Sequence, residues 1–120
     1  TCSLVLGGGH SIGVPLAVSA DRSFIVPTAT MTLHPVRMNG LVIGVPQTYA
    51  YFSKMQERIV SFVTAHSRCD AETLDRLIMS TDSIAADMGT IIDGREAVEY
   101  GIIDEIGGLA EAMAFLRGNA

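Results

Sequence analysis

The chain has 120 residues, 48% of them apolar, and a formal net charge of −5. That length suffices for one domain with a real core, and the acidic balance argues against nucleic acid or an anionic membrane surface as partner, since either would need a basic patch. No apolar run approaches the length of a membrane span, and the two cysteines, Cys2 and Cys69, lack metal-ligand spacing and read as small core or surface residues rather than a disulfide.

The opening TCSLVL is apolar from the start and predicts a buried strand over residues 3–6. Few later segments offer it neighbours, so the chain reads as the C-terminal part of a longer protein. GGGHS follows as a glycine turn, and the spacing of Ile12, Leu16, Ala17 and Ala20 predicts a short helix over 12–19. Pro15 is tolerable in its first turn, where no N–H is needed. Strands are predicted at 23–26, closed by Pro27, and at 30–33 (TMTL), ended by His34-Pro35. Asn39-Gly40 marks a turn before the β-branched run 41–45. From Pro46 to His66 the pattern turns helical, with Tyr49, Phe52, Met55, Ile59, Phe62 and Val63 near 3.6-residue spacing. A helix over 71–79 takes Asp70 as its cap, and 81–94 reads as a loop holding Asp82, Asp87 and Asp93. REAVEYG predicts a helix ending at Gly101, IIDEI a strand, and 109–116 a last amphipathic helix. Strands alternating with helices imply an α/β domain.

The string Gly9-His10-Ser11-Ile12-Gly13 matches the G-x-S-x-G pattern, in which a serine sits on a tight strand-to-helix turn flanked by small residues. The competing reading is a glycine turn with Ser11 as an ordinary helix cap. The order of partners matters. An α/β-hydrolase needs a late loop histidine, and His66 lies in or at the end of the long helix, so that family does not fit. His34, fixed by Pro35 at a strand end, is the better candidate base, its bland alternative being one backbone hydrogen bond. An orienting carboxylate would come from Asp87 or Asp82. His10 points away from its neighbour on a tight turn and reads as structural or as shaping the site.

GGGHSIGV, then MTLHP, then REAVEYGIIDEI resemble, in that order, the proteolytic subunit of the Clp protease family, and the likeness covers essentially the whole chain. GLVIGVPQT and KMQERI mark a particular branch within it. The resemblance implies an α/β ClpP/crotonase-like fold, with residues 1–120 as the C-terminal portion of a Clp-like serine peptidase domain and a handle over about 36–66. It makes Ser11 the nucleophile, His34 the general base and the backbone N–H of Ile12 one oxyanion donor. The second donor is a glycine upstream of the serine that no residue of this chain can supply. The family's spacing puts the aspartate at Gly89, so an insertion is required; two extra residues bring Asp87 into place, and Asp82 needs a larger shift. Leu41, Val42 and Ile43 would bind substrate by strand addition or bury themselves between subunits.

What the resemblance implies is a cytoplasmic endopeptidase that hydrolyses peptides or unfolded proteins inside a homo-oligomeric ring. It implies no metal or small cofactor and no nucleic-acid partner, and it leaves an ATPase partner open. The rivals are a non-catalytic Clp-like scaffold or assembly protein, suggested by the divergent aspartate loop and His10, and a crotonase-type acyl-CoA enzyme.

Overall fold

The computed structural model describes residues 1–36, 44–80 and 89–118. Two lengths of chain run side by side through it. The first carries β1 (Cys2–Val5) and β2 (Gly8–His10); the second carries β3 (Arg22–Ile25) and β4 (Thr30–Leu33). β1 pairs parallel with β3 and β2 parallel with β4. Between them, Val26 N–H bonds the Val5 carbonyl at 3.1 Å and Thr30 N–H bonds the Gly7 carbonyl at 2.9 Å, stitching the break. Each pair gains a third strand from the far end of the chain. β6 (Glu105–Ile106) adds parallel to β3, and β5 (Thr90–Asp93) adds antiparallel to β4. The result is two small sheets, β1-β3-β6 and β2-β4-β5.

Between the two lengths lies α1 (Gly13–Val18), which buries Val14, Ala17 and Val18 against Val5, Ile25, Met31 and Leu33. α2 (Val45–Ala65) docks by its C-terminal half, where Val60 and Val63 are buried, while Val45, Tyr49 and Tyr51 near its start are exposed. α3 (Ala71–Met79) inserts Leu74, Leu77 and Ile78 into the same core. Its cap is Asp70, whose carboxylate accepts the Thr73 N–H at 2.7 Å. α4 (Gly94–Glu99) opens with a capping box between Asp93 and Glu96, and α5 (Leu109–Leu116) closes the described chain.

Gly94 and Gly101 are required by their surroundings. A Cβ on Gly94 would stand 2.5 Å from the Val26 carbonyl oxygen, and Gly101 holds φ +81 while accepting the Arg68 N–H at 2.8 Å.

The predicted α/β class holds, and the strand at 30–33 and the helices at 71–79 and 109–116 fall where the sequence puts them. Four expectations are corrected. The glycine turn contains a strand: Gly8 to His10 lie flat against β4, where a Cβ on Gly9 would press on Met31 at 3.2 Å. The predicted loop over 81–94 ends early, because Thr90 to Asp93 pair with β4 and Gly94 already belongs to α4. In IIDEI only Glu105 and Ile106 pair; Ile102 and Ile103 are buried in the turn after Gly101. Leu41, Val42 and Ile43 lie outside the described residues, and Val45 is helical rather than the end of a strand.

Candidate active site

Ser11 stands where β2 gives way to α1, and it is exposed. Its φ is +55, the one non-glycine residue in the left-handed region among those described. A side chain is disfavoured there, and such a conformation persists only when its surroundings impose it. Ser11 is not the helix cap: that position is Ile12, with no side-chain capping bond. The turn is closed instead by the Val14 N–H on the Ser11 carbonyl at 3.2 Å. Helix geometry leaves the N–H groups of Ile12 and Gly13 without intrahelical acceptors, next to the serine.

His34 follows β4 directly and is half-buried. Its Nδ1 lies 2.8 Å from the Pro35 carbonyl oxygen. This single backbone bond is what a purely structural histidine would make, but it also fixes the tautomer. A carbonyl only accepts, so Nδ1 donates here; in the neutral ring that leaves Nε2 as the acceptor a general base requires, and among the described residues Nε2 has no hydrogen bond.

Ser11 and His34 line one cleft of about 470 Å³. Its walls are apolar, from Ile12, Val14 and Pro15 on the α1 side, Leu33, Pro35 and Val36 after β4, Ile59 and Val63 of α2, and Leu74 and Ile78 of α3. Val36 is tied to α2 through its N–H on Gln56 Oε1 at 2.8 Å. Among the described residues, Ser11 Oγ makes no hydrogen bond, so serine and imidazole share the cleft without a hydrogen bond between them.

Asp87 and Asp82 lie outside the described residues, but the points where their segment leaves and rejoins the fold do not. Gly89 N–H bonds the Ser80 carbonyl at 2.5 Å, and Thr90 pairs with Leu33. The neck of the segment therefore stands beside the His34 end of β4.

Cys69, His66 and His10 have other surroundings. Burial pushes the Cys69 thiol pKa up, which keeps it protonated and inert. His66 caps the C-terminus of α2, with Nδ1 2.8 Å from the Phe62 carbonyl and its ring stacked on Phe62. His10 bonds Thr32, as suits a residue that shapes the site. Thr32 itself lines the cleft and escaped the sequence reading. The alternation in TMTLH, which sets Thr30, Thr32 and His34 on one face, was the available signal. Among the described residues no group of His, Cys, Asp or Glu could hold a metal ion, and no helix is long and apolar enough to cross a membrane.

Comparison with known proteins shows the family. The family model described as Clp protease matches residues 1–109. The translocation-enhancing protein TepA of Halalkalibacterium halodurans is 60% identical over 113 residues, which are 94% of this chain and 44% of that protein. The chain thus spans less than half the length of this curated relative. It belongs to the Clp protease family, and the branch that GLVIGVPQT and KMQERI mark is the one that includes TepA.

Proposed function

We propose that this member of the Clp protease family is a serine peptidase in which Ser11 is the nucleophile, His34 the general base and Asp87 the carboxylate that orients the imidazole. One observation carries the reading: an uncapped, left-handed Ser11 shares a cleft with a histidine whose Nε2 is free to accept a proton. Ser11 Oγ attacks the substrate carbonyl as its proton passes to His34 Nε2. The negative charge that develops on the carbonyl oxygen meets the Ile12 N–H. The imidazolium then protonates the leaving amine, and water, activated by the same histidine, releases the acid from Ser11.

In this reading the Pro35 carbonyl holds Nδ1–H in the resting state, and a carboxylate supplies what a carbonyl does not, a full charge opposite the imidazolium. Between Asp87 and Asp82, the family's spacing favours Asp87, which needs the smaller shift. The residues 41–43 would receive an extended peptide along the strand edge, giving tolerance of sequence. The exposed Val45, Tyr49 and Tyr51 support a homo-oligomeric assembly, since apolar surface of this kind marks interfaces. The substrates are then peptides or unfolded proteins that enter an enclosed chamber in the cytoplasm.

A non-catalytic scaffold draws support from one fact, the missing bond between Ser11 and His34. A fluorophosphonate probe on the full-length protein separates the two. Covalent labelling mapped to Ser11 is the expected result; no labelling, with the fold intact, would leave the scaffold reading in its place.

A further inference from the structure

His10 and Thr32 have no role in the Ser–His–Asp assignment, yet they adjoin both of its described members. His10 precedes Ser11 and is the register partner of Thr32 across β2 and β4. Its Nδ1 lies 2.5 Å from Thr32 Oγ1. Met31 and Leu33 point into the core, so Thr32 shares its face of β4 with His34 and lines the same cleft. One cross-strand hydrogen bond therefore ties the residue before the serine to the residue two before the histidine.

The left-handed backbone of Ser11 must be imposed from both sides. Downstream, the Val14 bond to the Ser11 carbonyl and the burial of Val14 do this. Upstream, β2 is three residues long and two of them are glycine, so His10 is its only side-chain anchor. Gly8 makes room for that anchor, because a Cβ there would overlap the His10 ring.

We infer that the His10–Thr32 pair is a clamp that holds the serine turn in register with the His34 end of β4. The inference rests on the proposed roles of Ser11 and His34. Neither clamp residue is asked to touch the reacting atoms; both are positioning residues.

The test is the rate of fluorophosphonate labelling at Ser11 in the full-length protein, together with kcat and KM on a peptide. His10→Ala and Thr32→Val should each slow labelling by about tenfold, the scale of one lost hydrogen bond, with kcat reduced and KM unchanged. The double variant should lose little more than either single one. His10→Asn and Thr32→Ser, which keep a polar atom in place, should recover most of the rate. Gly8→Ala displaces the ring without altering either partner and should repeat the loss. Wild-type rates in the single variants overturn the clamp. So do losses that add fully in the double variant, or conservative variants as slow as the truncations. A wild-type protein that does not label at Ser11 is a separate result, which removes the serine reading and the clamp with it.

Discussion

The sheets β1-β3-β6 and β2-β4-β5 are built from the same two lengths of chain, but they follow different rules. In the first, Phe24 and Ile25 are fully buried and Phe24 meets Phe115 edge-on at 6.3 Å. Its one buried hydroxyl is satisfied twice: Ser23 Oγ donates to Asp104 Oδ2 at 3.1 Å and accepts the Asp104 N–H at 2.9 Å. The second sheet carries two glycines in β2, a left-handed serine after it, and an exposed histidine bonded to a threonine. Strain, glycine and half-exposed polar groups collect in the sheet that borders the cleft. Both sheets feed the core, the first through Val5 and Ile25 and the second through Met31, Leu33 and Ile92, but the left-handed serine follows a strand of the second alone.

Replacing Ser11 probes that division most severely. Ser11→Gly should abolish peptide hydrolysis, with a loss of up to about 10⁶-fold if the triad acts as a unit. It should also raise the melting temperature, because glycine accepts φ +55 without the penalty of about 1–2 kcal/mol that a side chain meets there, which exceeds the chain entropy glycine adds to the unfolded state. A variant that is inactive but melts no higher than the parent would show that the turn stores no strain. A variant that keeps its activity would end the nucleophile assignment.

The next largest effect belongs to the segment joined at Ser80 and Gly89. Asp87→Asn should reduce turnover by up to about 10⁴-fold by removing the negative charge opposite the imidazolium, and Asp82→Asn should do much less. Steady-state kinetics on the two variants side by side decide the matter. The reverse order would move the carboxylate to Asp82.

The same contrast explains what was legible in the residues. Thr30 to Leu33 alternate and stop at a proline, and Ala71 to Met79 follow a good cap, so side chains announce those elements. Gly8 and Gly9 have no side chains with which to show a period, and their strand exists only because β4 lies beside it. β5 hid for another reason. Its Ile91 is exposed and its Ile92 buried within four residues, too short a span to stand out beside several aspartates. Yet the capping box of Asp93 and Glu96 was there to be read and would have ended the loop correctly. Ser11 and His34 were legible because their order in the chain narrows the families they fit. Thr32 was overlooked although the alternation in TMTLH puts it on the face of His34; what no local pattern sets is the register that brings His10 to it.

Truncation in the first sheet should do the opposite of a change at Ser11. Phe24→Ala removes a fully buried ring that packs on Phe115 and should cost about 3–5 kcal/mol of stability. Urea unfolding followed by circular dichroism measures this. The fraction that remains folded should still label at Ser11 at the parental rate, because no atom of Phe24 borders the cleft. Slower labelling of the folded fraction would mean that the two sheets are coupled more tightly than their separate pairing suggests.

The smallest effect concerns α3, which gives Leu74 and Ile78 to the floor of the cleft. The Thr73 N–H holds the Asp70 carboxyl below the ordinary aspartate range. A group whose pKa is lowered by folding adds stability above its unfolded value and loses it as the pH falls through the folded one. The contribution of Asp70 is therefore complete at neutral pH and fades below about pH 5. Asp70→Asn keeps an acceptor for the Thr73 N–H but not the charge at the helix N-terminus. Parent and variant should differ in melting temperature by a small, constant amount from pH 7 to 5, and the gap should narrow as the pH falls below the ordinary aspartate range toward the lowered folded value. A gap that does not change over the whole acid range would show that the charge contributes nothing and that the cap works by geometry alone. In that case the floor of the cleft would owe its place to Leu74, Leu77 and Ile78.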